Sequence, residues 1–244
     1  IVDGHEINDA QYGGFDINRL PLQHIDRIKI IKNNSDGIGG TIIIDTINST
    51  EENESKIFIS AGSFDTYEYG LTQSMSGLGK ATLSINKLIS EANYEYPVPS
   101  PYLEPSNSGK IEALYNNQYE KSSALFKWQY KAAEDSELGI KLQAINSKKH
   151  LPNYQQNRYD NQAYLSDSEL DFQGFHEYRI NHRLNNSFRI NHTSKDETYS
   201  DPGAFIGVGS FINKYDSETS KITDAVSYQS REGKISLTYE FKSE

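Results

Sequence analysis

The sequence predicts an all-β-dominated chain: a transmembrane antiparallel β-barrel, incomplete because only about nine strands are present. Three observations predict it. The composition is polar yet aromatic, apolar residues recur with period two, and the connections between these segments alternate between short and long.

The first observation concerns 244 residues of which only 35% are hydrophobic, while Tyr numbers 17 and Phe 10. The mean hydropathy is −0.71. Such polarity suggests disorder, but disordered chains are poor in aromatics. A barrel wall, apolar toward lipid and polar toward its lumen, reconciles the two properties. The charge argues against nucleic acid as a partner: 24 Lys and Arg against 34 Asp and Glu give a net −10, and a duplex binder needs a basic face. No stretch approaches the roughly 20 apolar residues of a membrane-spanning helix. Cysteine is absent, which removes disulfides, thiolate metal sites and cysteine nucleophiles together.

In order along the chain, residues 1–47 carry two β-branched runs, Ile28-Lys29-Ile30-Ile31 and Thr41-Ile42-Ile43-Ile44. Such runs predict strands covered on both faces, and Asn33-Asn34-Ser35-Asp36-Gly37 between them supplies turn chemistry. Residues 48–55 are polar and acidic and read as a linker. Residues 56–244 then alternate. Ala81, Leu83 and Ile85 share one strand face, as do Ala124, Phe126, Trp128 and Tyr130, then Leu138, Ile140, Leu142 and Ala144, then Ile235, Leu237, Tyr239 and Phe241. Tight turns are expected at Ser76-Gly77-Leu78-Gly79, Glu134-Asp135-Ser136, Leu184-Asn185-Asn186 and Arg231-Glu232-Gly233. Long loops are expected from Glu91 to about Tyr119, Lys148 to Asp171 and Glu197 to Ser220, with Ser63 to Thr66 as a short loop at the same end. Turns at one end and long loops at the other are the habit of a membrane barrel, the long loops lying outside the cell.

Most candidate sites read as structure. Gly37, Gly39 and Gly40 lack the Gly-Lys-Ser/Thr of a phosphate loop, and glycine there serves a turn. The six histidines His5, His24, His150, His176, His182 and His192 show no zinc spacing; His176 and His182 would lie roughly 20 Å apart on one strand. Acidic clusters at Asp167-Ser168-Glu169-Leu170-Asp171 and Asp216-Ser217-Glu218 lack a calcium-loop pattern. No G-x-S-x-G serine elbow occurs, and no enzyme or cofactor is expected. The better candidates are aromatic. Tyr94, Tyr96, Tyr102 and Tyr115 belong to one long loop, and Tyr154, Tyr159 and Tyr164 to the next. Tyrosine offers stiff contact area with a polar tip, suited to a ligand or to an interfacial girdle.

The first segment resembles a known pattern. Val2-Asp3-Gly4-His5-Glu6-Ile7-Asn8-Asp9 is followed by Phe15 through Pro21-Leu22-Gln23-His24-Ile25-Asp26-Arg27-Ile28-Lys29-Ile30-Ile31, then by Gly39-Gly40-Thr41-Ile42-Ile43-Ile44. This resembles the C-terminal half of the plug domain of TonB-dependent outer-membrane receptors, with its "VDG" strand, "IPxxxIERIEV" segment and "GGVINI" strand. Gly62-Ser63-Phe64-Asp65-Thr66, Asn116-Asn117-Gln118-Tyr119 and Leu151-Pro152-Asn153-Tyr154 are similar to barrel elements of that family. The segment Lys32 to Ile38 departs from it, being short and Asn/Asp-rich where the family carries an arginine-glycine-proline turn.

The resemblance implies that residues 1–47 are part of a small α+β plug, with Asp3, Gly4, Arg27, Gly39 and Gly40 in structural roles and Arg27, like Arg19, paired to lumen carboxylates. It implies import of a scarce solute (a ferric siderophore, cobalamin or an oligosaccharide) across the outer membrane of a Gram-negative bacterium, powered by the TonB–ExbB–ExbD complex. Family barrels of 22 strands enclose a plugged lumen, and about nine strands cannot close one without exposing edge amides to lipid. The expectation is therefore a fragment or truncated product of a larger receptor, lacking the TonB box. Two alternatives remain open: a soluble or surface all-β binding protein whose sandwich core buries Phe126, Trp128 and Tyr239, and a nonfunctional receptor remnant.

Overall fold

The computed structural model describes residues 1–4, 17, 20–32, 40–48, 52–97, 110–154, 157–230 and 233–243. In the first segment β1 (Ile25–Ile31) and β2 (Thr41–Thr46) pair antiparallel. Pro21, at φ −65°, leads into a single 3-10 turn, Leu22–His24. No α-helix occurs among the described residues. The expected "VDG" strand contracts to one parallel bridge, Val2 to Ile44. Asp3 and Gly4 then turn the chain with φ of 48° and 79°.

The two isoleucine runs do form strands, but they are not covered on both faces. Ile28, Ile30 and Ile42 are exposed, because among the described residues no further strand flanks the two-stranded ribbon. Of the isoleucines in the two runs only Ile44 is buried, and it packs with Val2, Leu20 and Ile145. Gly40 sets the entry to β2: its φ is 131°, and a Cβ there would lie 2.4 Å from the Ile31 carbonyl oxygen. Gly40→Ala is therefore expected to cost about 1–3 kcal/mol of local stability, read as faster amide exchange across the β1–β2 pair with the remaining strands unaffected.

The rest of the chain is one nine-stranded antiparallel sheet in the order β13-β12-β11-β10-β9-β8-β5-β4-β3. Its members are β3 (Glu54–Gly62), β4 (Thr66–Gly77), β5 (Gly79–Ser90), β8 (Tyr119–Ala133), β9 (Ser136–His150), β10 (Tyr164–Asn181), β11 (Leu184–Asp201), β12 (Phe211–Gln229) and β13 (Lys234–Ser243). A small hairpin, β6 (Glu95–Pro97) with β7 (Ile111–Ala113), projects between β5 and β8. Every wall strand pairs with its neighbour along the chain, so all tight turns fall at one end and all longer loops at the other.

Two boundaries differ from expectation. The β10–β11 turn is at His182-Arg183, not at Leu184-Asn185-Asn186, because the Asn181 side chain accepts from the amides of Arg183 (2.9 Å) and Leu184 (3.0 Å) and closes the turn earlier. His182 thus leaves the strand that carries His176. The second and third long loops are also shorter than predicted, while the first falls between Ser90 and Tyr119 as expected. β10, β11 and β12 run for 18, 18 and 19 residues, against the roughly 9–11 needed to cross a bilayer. Their loop-side halves carry no continuous apolar series on either face, so no hydrophobic period marks them as strand.

The polarity of the wall is inverted relative to a soluble sandwich. Thr82, Ser84, Asn86, Ser123, Lys127, Lys141, Gln143, Asp171, Gln173 and Asn191 are buried. The alternate residues face outward: Leu71, Ile85, Leu142, Leu170, Ile190 and Val226 are exposed, Tyr239 to 69% and Leu237 to 78%. The sandwich alternative needed Tyr239 inside, and its ring lies on the open face.

This outer apolar band is slanted. Leu71 shares its level with Ile85, Ala124, Ala144, Leu170, Ser194 and Glu218. On β12 the apolar residues lie nearer the turns, at Ile222, Val226 and Tyr228, opposite Phe241, Leu237 and Ile235 of β13. The band descends by about one residue per strand, the offset produced when strands tilt roughly 35–45° to a barrel axis.

Candidate functional site

The loop end of the wall gathers aromatic side chains from four connections. Phe64, at φ 61° in the β3–β4 loop, meets the Tyr94 ring edge-on with centroids 5.6 Å apart. The Ala92 amide donates to the Phe64 carbonyl at 3.1 Å, and Asn93 Nδ2 donates to Asp65 at 2.6 Å. The hydroxyls of Tyr94 and Tyr154 lie 2.7 Å apart. Tyr96 donates to the Tyr154 carbonyl at 3.1 Å and packs edge-on against its ring at 5.8 Å. The next loop joins through Asn153 Nδ2, which donates to the Phe205 carbonyl, and through the Arg158 guanidinium, 5.0 Å over the Phe205 ring.

Three of the predicted tyrosines thus form one cluster. The hydrogen bond to Tyr154, reinforced by local desolvation and the neighbouring phenols, pushes the Tyr94 phenol up to about 12. Tyr154→Phe is expected to return Tyr94 toward 10. The check is the alkaline titration of the Tyr94 ring carbon by NMR, and an unmoved midpoint would mean the hydroxyl pair does not form.

The other predicted tyrosines lie elsewhere. Tyr115, Tyr159 and Tyr164 line a separate recess of about 480 Å³, together with Asn116, Lys148 and His150. Tyr102 lies outside the described residues. Asn116 makes the recess rigid. Its Nδ2 donates to the carbonyls of Leu151 (3.0 Å) and Ala163 (2.8 Å), while its Oδ1 is 2.7 Å from His150 Nδ1. Asn157 completes the brace, accepting from the Tyr115 amide at 2.9 Å and donating to the Ala113 carbonyl at 2.7 Å.

At mid-height on the inner face, the first segment is anchored by a buried ionic cluster. Lys127 and Lys141 face each other across β8 and β9, a like-charge pairing that is destabilising by itself. Asp3 sits between them, 3.1 Å from Lys127 Nζ and 3.0 Å from Lys141 Nζ. The Thr46 amide and hydroxyl also donate to Asp3, at 2.9 and 2.7 Å. Lys127 further donates to the Thr46 carbonyl and to Asn48, both at 3.1 Å. Asp171 supplies Lys141 with a second carboxylate at 3.4 Å and is itself held by Gln173 and Thr193. Burial alone would raise the Asp3 carboxyl, but the two ammoniums and the Thr46 donors outweigh it and hold it at about 2.

His24 belongs to the same segment and is fully buried, with Nδ1 3.4 Å from Gln143 Nε2 and no hydrogen-bond partner at Nε2 among the described residues. Desolvation, then the Lys141 and Lys121 charges, lowers it to about 4. Arg27 is not at the wall. It is exposed and pairs with Asp45 of the adjacent strand at 2.7 Å, so its partner is local and not a lumen carboxylate. Gly4 lies against Arg189, whose Nη1 would be 2.7 Å from an added Cβ. Gly37, Gly39, Arg19 and His5 lie outside the described residues. His176 bonds Ser136 at 3.0 Å and His192 bonds Ser220 at 2.9 Å. Among the described residues no three His, Asp, Glu or Cys side chains converge as a metal site.

The fold these features define is an all-β wall, polar within and apolar without, carrying a small ribbon on its inner face. Among solved structures the chain is similar to the siderophore receptor PiuA from Acinetobacter baumannii, with a TM-score of 0.63 over 91% of this chain at 11% identity. At that identity the likeness shows the fold alone. The chain spans 35% of that receptor's length. No protein-family description matches the sequence, and no curated protein does.

Proposed function

We propose that the chain forms a sector of the barrel wall, with part of the plug, of a TonB-dependent receptor in the outer membrane of a Gram-negative bacterium. One observation carries the reading: the sheet buries its polar face and exposes its apolar one, with a slanted apolar band. That arrangement suits lipid outside and a polar lumen inside. In lipid, the edges β3 and β13 need further strands to satisfy their amides and carbonyls. Residues 1–47 act as the plug portion, pinned by Asp3 between Lys127 and Lys141.

The receptor would bind a scarce solute, a metal chelate such as a ferric siderophore first among the candidates, at the loop cluster of Tyr94, Tyr96 and Tyr154. The likeness to PiuA supports that choice over cobalamin or an oligosaccharide. Import would draw on the TonB–ExbB–ExbD complex, which pulls on the plug, and no covalent chemistry is required. The test is an immunoblot of fractionated native cells with an antibody against residues 151–163. The expected band is in the outer-membrane fraction. A band confined to the soluble fraction would overturn the reading. Ferric-siderophore uptake, measured with and without TonB, then tests the solute and the energy source.

A further inference from the structure

The four connections that meet at the tyrosine cluster carry an unequal charge. They are residues 63–65, 91–118, 151–163 and 202–210. Together they hold two cations, Lys110 and Arg158, against six acids, Asp65, Glu91, Glu95, Glu104, Glu112 and Asp160, a net −4. Both cations are taken by carboxylates of their own loops. Lys110 Nζ lies 2.7 Å from Glu112, and the Arg158 guanidinium donates to both oxygens of Asp160, at 2.9 and 2.7 Å. Asp65 accepts from a neutral partner, Asn93, and Glu91 and Glu95 are exposed. The crown of loops is therefore aromatic and acidic, with both of its cations already paired.

The wall below does not reverse this. Between the loops and the level of Ile145, the inner face carries Lys121, Lys149 and Lys195 against Glu68, Asp167, Glu169 and Glu197. The rings, by contrast, are held ready. Tyr154 and Phe64 are 48% and 53% exposed, so their faces stay open to a ligand. Asn117 Nδ2 donates to the Ala92 carbonyl at 3.0 Å, beside Tyr94, and Asn116 braces the chain on either side of Tyr154 through Leu151 and Ala163. Asp201 accepts from the amides of Phe205, Ile206 and Gly207 at 2.8, 2.8 and 3.0 Å, which fixes the uncharged fourth loop. An aromatic face attracts a cation through its quadrupole, and a surface of one sign gathers ligands of the other and repels its own. An anionic ligand would have to displace Asp160 from Arg158, or Glu112 from Lys110, losing one ion pair for each it formed.

We infer that the cluster of Tyr94, Tyr96 and Tyr154 takes the neutral or cationic class of ferric chelate, of the tris-hydroxamate type, and rejects strongly anionic chelates such as tris-catecholates. The inference rests on the receptor reading above and adds the charge of the solute to it. The rings cover the organic shell of the chelate, a pendant ammonium lies over an aromatic face, and the surplus carboxylates draw it in.

The test uses the complete receptor carrying these strands, in outer-membrane vesicles, with one linear tris-hydroxamate loaded with radioactive iron. Its terminal amine is left free, acetylated or succinylated, so that the chelate is cationic, neutral or anionic with the iron cage unchanged. Retention is expected to fall in that order, the cationic form binding about tenfold more tightly than the anionic one, the low end of what a surface field of one sign produces. Salt should narrow the gap, since exposed charges are screened. Tyr154→Ala should weaken binding of all three forms. Asp160→Asn frees the Arg158 guanidinium and should raise binding of the anionic form about threefold relative to the neutral one. Equal binding of the three forms, or tighter binding of the anionic form or of a ferric tris-catecholate, would overturn the charge class and leave the receptor reading standing. Undiminished binding in Tyr154→Ala would move the site away from the rings and overturn the inference. Failure of every one of these chelates to bind receptor located in the outer membrane would sink the tyrosine cluster as an iron-chelate site, and this inference with it.

Discussion

Leu142→Arg is expected to exclude the chain from the membrane. Leu142 is outward on β9, between Ile140 and Ala144, and is flanked at its own level by Phe126 and Phe172. It therefore lies near the centre of the apolar band on the middle strand of the sheet. In lipid, an arginine at barrel mid-depth costs about 2–4 kcal/mol. That corresponds to a loss of roughly 30- to 1,000-fold in the inserted fraction. In water the same substitution would be neutral or would improve solubility, because Leu142 is 41% exposed. The outcome is read as the ratio of inserted to aggregated protein when the complete receptor carrying these strands is refolded into lipid vesicles. Gln143→Arg is not a suitable control, since Gln143 faces inward beside His24. Lys214→Arg, at the loop end of β12, should leave insertion unchanged. An arginine tolerated at 142 with full insertion would contradict a lipid-facing wall.

The second large effect is expected at the ionic anchor. Asp3→Ala leaves Lys127 buried at 7% exposure with only neutral hydrogen-bond partners among the described residues, the Thr46 carbonyl and Asn48. Removing one partner of a buried ion pair costs about 3–5 kcal/mol. Lys141 is less affected because Asp171 remains. The expected result is release of residues 1–47 from an intact wall, seen as protease cleavage of that segment and lost amide protection at Ile44 and Thr46. Adding Lys127→Met to Asp3→Ala should restore part of the loss, since the isolated ammonium causes most of it. No recovery would mean that the Thr46 hydrogen bonds, not the charges, hold the segment.

Acid should weaken the same anchor in two stages. His24 is held neutral, at about 4 against 6.5, so its contribution is complete above pH 6.5 and falls as pH drops toward 4. Asp3 is held at about 2 against 3.8, so its contribution persists down to about 4 and is lost between there and 2. Asp3→Ala should erase the lower stage and keep the upper.

Much of the wall was legible in the sequence. Phe126, Trp128 and Tyr130, or Leu138, Ile140 and Leu142, declare their strands because one face must be apolar. The strand extensions from Tyr164 to Ser168 and from Lys195 to Asp201 were not, since neither face there carries a continuous apolar series. The β10–β11 turn misled because Asn185 and Asn186 carry turn chemistry that Asn181 pre-empts. The anchor was hidden for another reason. Lys127 and Lys141 read as ordinary members of a wet face until the register sets them opposite each other, and their counterion lies 124 positions from Lys127. The seven tyrosines were found as residues, but the sequence could not divide them. Tyr94, Tyr96 and Tyr154 join one cluster, whereas Tyr164 turns outward through its pairing with His150.

The inverted polarity of the wall also sets an order of events for the chain's synthesis. A sheet that formed in an aqueous compartment would present Ile140, Leu142, Leu237 and Tyr239 as a continuous sticky surface with open edges at both sides, and such surfaces aggregate. On the membrane reading proposed above, pairing of the strands and arrival in lipid therefore have to coincide, hairpin by hairpin. The feature that makes the wall stable in its destination is what forbids it to fold on the way there.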